Sequence, residues 1–422
     1  MESAGRRIQA NCKKPTPRSG HVAVTYGGLM LVWGGYTEQL NFSDANETGH
    51  QMWYVGDDIY LDGKEVWCYN IEAKVWDVWH TRKSPPGMSG SCAACIGKHM
   101  YLFGGYYKNG NSNELYRLDL KTKVWKHLKP EGMPPSPRDK VTCWSYQDKL
   151  VIFGGFGPPP YNEDDTNRTD EWQLDPSSFW SHERGWNNQL IVYSTTDNRW
   201  SYVKSERHRP CPRAAHAVAV IGNRGYVFGG RFEDVRMNDL HVLNLDSMEW
   251  VGSIQPASED IPTGRSWHCM APVSDRHLLV YGGYSSGRPT DCKPLNDVWV
   301  FDVENHTWHQ QKSLPSETRM WHTGVSGADL GEAVVYGGCS NDLLDQDQRS
   351  VHSSKCFHFF FSPKSLSRLC AEAIVSDIDV LGSELSFLPT MLHRKIELCL
   401  NGRQKDESKN HSYNLRSRSQ SS

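Results

Sequence analysis

Arg231 is a cation in a position that the rest of the chain fills mostly with rings. Six Gly-Gly pairs recur in phase along the sequence, and the residues that follow them are Tyr36, Tyr106, Phe156, Arg231, Tyr284 and Cys339. A second recurring element, Arg-x-x-His and its degenerate copies, encloses a pair that reads Ser19-Gly20, Asp139-Lys140, Ala214-Ala215, Ser266-Trp267 and Met320-Trp321. If both positions converge on one face, that face collects Arg231, Ser266, Trp267, Trp321 and Lys140 among Tyr and Phe rings, with Arg236 five residues past Arg231. Aromatic walls around fixed cations suit a small anionic end group, held by charge-assisted hydrogen bonds worth roughly 1.5–3 kcal/mol each. The competing reading is that Arg231 pairs with Glu233 or Asp239 and only braces its own loop; spacing does not choose between the two. Zinc chemistry has less behind it. Cys92-Ala-Ala-Cys95 has the right spacing, but it lies in a strand-like run where i and i+3 point to opposite faces, and no second CxxC or His pair accompanies it.

The elements that must position these residues repeat. The pairs Gly34-Gly35, Gly104-Gly105, Gly154-Gly155, Gly229-Gly230, Gly282-Gly283 and Gly337-Gly338 each close an apolar run (LMLVW, MYLF, LVIF, GYVF, LLVY, AVVY). They recur at intervals of 50 to 75 residues, a unit of about fifty with two insertions. Within each unit an Arg-x-x-His strand precedes the Gly-Gly strand, and strands such as DLHVLNL or DVWVFDV lead to a Trp. Trp76, Trp125, Trp200, Trp250 and Trp308 read as core anchors between neighbouring sheets. Arg18, Arg213, Arg265 and Arg319 read as braces between blades rather than ligand contacts. Four strands per unit, arranged radially, predict an all-β six-bladed propeller.

The repeat resembles the kelch propeller over roughly residues 8–361, with residues 17–361 as the propeller proper. Its sixth unit lacks a Trp and ends in CFHFF, so a fourth strand must come from elsewhere; Ile8–Lys13, within the N-terminal segment 1–16, is the expected donor. Thr37–Gly63 and Gly157–Gln189 are insertions, and the Trp180 and Trp186 of the second predict an ordered loop.

Bulk properties narrow the class. The chain has 422 residues, a net charge of −3 and a pI near 6.6, which gives no basic footprint for nucleic acid. No apolar stretch approaches the length of a membrane span, and Met1–Ala10 has no apolar core for a signal peptide. Twelve cysteines therefore read as reduced thiols, and the sequons at Asn41 and Asn305 as unused, in a protein of nucleus and cytoplasm.

After Pro363 the pattern becomes helical, over residues 362–402. Leu366, Leu369, Cys370, Ala373 and Ile374 fall on one stripe, and a second stretch runs through Leu388, Pro389, Leu392 and Ile396. Physically these could be two helices docked on the propeller. Their letters resemble an elongin-binding BC box (Ser-Leu-x-x-x-Cys-x-x-x-Ile) followed by a cullin-2 box. With both halves, the chain resembles the kelch-repeat substrate receptors of cullin-2 RING ubiquitin ligases, which read C-terminal degrons such as Gly-Gly ends. That resemblance implies a non-catalytic adaptor without cofactor or metal, whose partners are elongin B/C, cullin-2, the RING subunit and substrate proteins held by their C-termini. It implies that Arg231, Arg236 and Ser266 clamp the terminal carboxylate, and that Tyr36, Lys140, Trp186 and Trp267 shape the rest of the pocket, beside Phe156 and Trp321. Phe156 stands where that family can carry Tyr, which removes a hydroxyl. Leu366 would enter elongin, with Cys370 and Ile374 beside it, while Leu388, Pro389, Leu392 and Ile396 face the cullin.

The tail, residues 403–422, is Ser-rich and basic and reads as disordered. Its small end, Ser421-Ser422, suggests self-association, the tail of one molecule entering the pocket of another. A kelch scaffold for a folded partner is the alternative function. A copper oxidase of kelch type would need a His/Tyr cage and secretion, and neither is evident.

Overall fold

The computed structural model describes residues 14–40, 56–108, 110–160, 171–178, 183–204, 208–285, 292–314, 316–345, 347–376 and 396–397. Four four-stranded antiparallel sheets, one of five strands and one of three form six blades among the described residues. The Gly-Gly strands, such as Leu29–Trp33 and His99–Phe103, are apolar on both faces because each is the second strand of a blade sandwiched between two others. The strand before each, such as Val22–Tyr26, alternates in burial instead.

Six apolar clusters sit between adjacent blades and carry the core. Trp125, Trp200, Trp250 and Trp308 each pack into the seam with the preceding blade. Trp76 of blade one packs against Val325, Val334 and Tyr336 of blade six, so the ring is closed. The seam between blades five and six is filled instead by Phe359, on the third strand of blade six, with Tyr281, Val298 and Val335. Blade six has three strands among the described residues, ending with Cys356–Phe360; the expected donor strand Ile8–Lys13 lies outside those residues.

The Gly-Gly pairs are explained by what touches them. The second glycine of every pair donates its N–H to the next blade: Gly35 to Met88, Gly105 to Arg138, Gly155 to Arg213, Gly230 to Arg265, Gly283 to Arg319 and Gly338 to Arg18, all at 2.8–2.9 Å. A Cβ on the first glycine has no room either. At Gly154 it would lie 2.6 Å from His216 Cε1 and 2.8 Å from the Arg213 carbonyl, and φ is already +70°. His268 and His322 press in the same way on Gly229 and Gly282, and His21 on Gly337 across the closing seam.

This corrects the expected role of the arginines. Their backbone carbonyls join blades, but their side chains brace their own blade. Arg18, Arg213 and Arg265 donate to the carbonyls of Gly34, Gly229 and Gly282. Arg213 and Arg265 also grip Asp239 and Asp297 with two 2.8 Å hydrogen bonds each. Arg319 turns instead to the Thr318 carbonyl, Glu317 and Ser353.

Both insertions extend their blades on one face. Tyr36–Leu40 pairs with Gly56–Tyr60. Phe156–Gly157, Gly185–Asn187 and Trp172–Leu174 form a small three-stranded sheet within the second insertion; Trp180 is outside the described residues.

Candidate functional site

The two recurring positions converge because they are hydrogen-bonded opposite one another in every blade. Ser19 pairs with Tyr36, Ser89 with Tyr106, Asp139 with Phe156, Ala214 with Arg231, Ser266 with Tyr284 and Met320 with Cys339. The next residue is left-handed each time: Gly20, Gly90, Lys140, Ala215, Trp267 and Trp321 have φ between +51° and +67°. For a residue with a Cβ that conformation costs about 1–2 kcal/mol. It is sustained by a second ring of inter-blade bonds, from Trp321 to Trp267, Trp267 to Ala215, Ala215 to Lys140, Gly90 to Gly20 and Gly20 to Trp321, at 2.7–3.0 Å.

A small cavity of about 130 Å³ opens beside this ring, lined by Lys140, Phe156, Asp175, Trp186, Ala214, Ala215, Arg231, Ser266 and Trp267. Arg231 lines it from a two-stranded hairpin in which Arg236 is its direct cross-strand partner. Like charges in that arrangement repel. Arg236 donates from Nε to Ser266 Oγ at 3.1 Å, and its guanidinium lies 4.5 Å from the Tyr284 ring centroid. Burial first, then the charge of Arg231, lowers its pKa.

Arg231 is not quenched by the acids that could have braced it. Its Nε donates to the backbone carbonyl of Glu233 at 2.6 Å, so there is a loop contact, but the Glu233 carboxylate accepts from Gln173 and Asp239 belongs to Arg213. Among the described residues the carboxylate within ion-pair distance of Arg231 is that of Asp234, 3.8 Å away and fully solvent-exposed, a pair that water screens. Arg236 has no carboxylate within ion-pair distance among the described residues. Trp267 Nε1 is buried with no hydrogen-bond partner among them either. A guanidinium, a buried hydroxyl and an indole N–H without a partner thus line one small cavity, with a second guanidinium bonded to the hydroxyl, a set of donors that can pair with an anion.

The other expected residues divide. Phe156 and Trp186 line the cavity and touch each other at 5.3 Å, while Arg231 lies 6.0 Å from the Trp186 centroid. Trp321 stacks on Trp267 at 5.4 Å and Tyr36 meets Trp321 edge-on at 5.4 Å, extending the aromatic wall beyond the cavity. Lys140 lines the cavity, but its charge is matched: Asp139 Oδ2 is 2.6 Å from its ammonium. Asp139, buried, also accepts from Arg184 and Asn111. Arg184 and Asp175, both from the second insertion, were not expected; Arg184 lies 4.6 Å from the Phe156 centroid. The one signal for this cluster was Asp139 itself, the only acid at its repeat position.

A second surface lies on the helix Leu366–Ser376. Its apolar stripe faces out: Leu366 is 79% exposed and Leu369 45%, Cys370 and Ala373 are exposed, and Ile374 is half-buried. The face against the propeller carries Arg368, Ala371 and Val375. Ile396 is fully buried; Leu388, Pro389 and Leu392 lie outside the described residues, as does the tail 403–422.

Comparison with known proteins bears on the family and the fold. The family model for the KLHDC2/KLHL20/DRC7 kelch-repeats domain matches residues 45–250 and 180–355. Kelch domain-containing protein 2 of Homo sapiens is 42% identical over 386 residues, covering 90% of this chain and 89% of that protein. The Bos taurus protein of the same name is 41% identical over 389 residues, with the same shares. Kelch domain-containing protein 1 of Homo sapiens is 38% identical over 389 residues, again 90% and 89%. Among solved structures, that of YjhT matches with a TM-score of 0.57 over 82% of this chain and 95% of its own, at 14% identity, a likeness of fold alone.

Proposed function

The chain belongs to the kelch-repeat family of kelch domain-containing proteins 2 and 1, and from that premise we propose that it is the substrate-recognition subunit of a cullin-2–elongin B/C ubiquitin ligase. In this reading it binds the C-terminus of a substrate, of diglycine type, and presents that protein for ubiquitination. The observation that carries it is the opposed pair Arg231 and Arg236, which repel one another until an anion lies between them. A terminal carboxylate supplies that charge and can accept from both guanidinium groups, Ser266 and the Trp267 indole. Walls of Phe156, Trp186 and Trp267 around so small a cavity favour end residues without side chains.

The outward stripe of Leu366, Cys370 and Ile374 supports the second half, since an apolar helix face left in water is a docking surface. The mechanism is then positional and not catalytic. One molecule holds the substrate end and the ligase together, and effective concentration accelerates transfer.

The deciding experiment compares one Gly-Gly-ended peptide as free acid and as C-terminal amide. We expect the amide to bind at least tenfold more weakly, because a buried charge pairing of about 1.5–3 kcal/mol is lost. Equal affinity for the two sinks carboxylate recognition. Co-purification of elongin and cullin with Leu366→Ala/Cys370→Ala would leave instead a scaffold whose helix is only a cap.

A further inference from the structure

The helix Leu366–Ser376 turns its apolar stripe outward because a charged residue holds the opposite face. Arg368 is 2% exposed; its NH1 donates to Glu332 Oε2 at 2.7 Å and Asp329 Oδ2 at 3.1 Å, and the guanidinium lies 5.3 Å from the Phe360 centroid. Glu332, itself buried, also accepts from His358 Nδ1 at 2.7 Å and from the N–H groups of Ala328 and Asp329. Burial works to raise the Glu332 pKa, but His358 and Arg368 hold it down at about 2. The other nitrogen of His358 meets the Tyr69 hydroxyl at 2.9 Å. Lys364, just before the helix, pairs with Glu372 at 2.7 Å and lies 5.2 Å from the Phe360 centroid. Glu332 and His358 belong to blade six and Tyr69 to blade one.

An ordinary amphipathic helix would bury its leucines and expose its arginine. Here the buried member is a cation whose desolvation is tolerable only with carboxylates in fixed geometry. Apolar packing would admit several rotations of the helix, whereas this contact admits one.

We propose that Arg368 is a positioning residue that locks the helix and the propeller into one rigid body, fixing the angle between the exposed stripe and the Arg231–Arg236 pocket. That angle decides which lysines of a captured protein come within reach of the ligase. The biological readout rests on the ligase reading above; the joint itself does not.

The test uses the full chain as wild type, Arg368→Met and Arg368→Lys. Methionine keeps the apolar stem and removes the charge, and Glu332 retains His358 and two backbone donors, so the blades stay folded. Hydrogen exchange should quicken about tenfold or more at the amides of residues 366–376 in the methionine variant, with the blades unchanged and lysine restoring part of the protection. With elongin B/C, cullin-2 and its RING subunit, and a Gly-Gly-ended substrate of several lysines, peptide affinity and elongin binding should stay within about threefold of wild type, because both contact sets are intact. Ubiquitin transfer should fall about fivefold or more, or spread over more lysines. Unchanged exchange in Arg368→Met overturns the joint. Faster exchange with wild-type rate and lysine pattern overturns the positioning role. A wild-type chain that neither binds elongin nor supports transfer overturns the ligase reading, and exchange still decides the joint.

Discussion

At the scale of single residues the pocket is defined by arginines with no buried carboxylate partner and a lysine that has one. Arg231→Ala or Arg236→Ala should cost about 2–5 kcal/mol in the affinity of a Gly-Gly-ended peptide by calorimetry, because the bound carboxylate keeps its burial and loses a partner. Lys140→Ala should cost far less than either, since its ammonium is already matched by Asp139 at 2.6 Å; a loss equal to that of Arg231→Ala would contradict this division of roles. Arg231 could be read from the sequence because it breaks a six-fold pattern. Its freedom from Glu233 and Asp239 could not, because the competing partners, Gln173 and Arg213, are 60 and 26 residues from the acids they occupy. The Asp139–Arg184 contact joins a repeat position to a loop 45 residues on, where no periodicity applies.

At the scale of elements, the Gly-Gly strands carry a stability prediction with an internal control. Gly154→Ala sets a Cβ against His216 and the Arg213 carbonyl at positive φ, and should lower unfolding free energy by about 2–5 kcal/mol in chemical denaturation. Gly222→Ala has φ +59° but open space around its Cβ, so only the backbone cost of about 1–2 kcal/mol should appear. Equal losses would mean that the contact with the next blade contributes nothing. The C-terminal helix behaves oppositely. Leu366→Ala/Cys370→Ala removes side chains already in water, so thermal stability should be unchanged while elongin binding disappears; a destabilised protein would place that stripe against the propeller. Helical periodicity identified the stripe from sequence, but periodicity has no sign. Which face points inward is set by Asp329 and Glu332, more than thirty residues upstream.

At the scale of the whole molecule, repetition made the blade number and seams readable, because every seam reuses the glycine contact, five of the six use an arginine carbonyl and four press a histidine on the first glycine. It also concentrates one titration. Burial first, then the adjacent Arg213 or Arg319, lowers the pKa values of His216 and His322 to about 3, and His21 and His268 are lowered as well. An unfolded chain takes up protons at these sites below about 6.5 while the folded chain does not. Stability should therefore be level above pH 6.5 and decline as pH falls toward 3, by up to about 1.4 kcal/mol per pH unit per histidine. Thermal unfolding that stays flat between pH 6.5 and 4.5, above the range of most carboxylates, would falsify the buried neutral state. The closing seam is chemically like the rest but topologically unlike them. The partners Gly338 and Arg18 are 320 residues apart, against 53 for Gly35 and Met88, which adds about 1.6 kcal/mol of loop entropy to its closure. Such a molecule resembles a split washer, and the gap is where it should spring open first. Arg368 rivets the C-terminal helix to Glu332 on one lip of that gap, and the neighbouring His358–Tyr69 bond crosses it, so a partner that grips the helix holds the washer beside its slit.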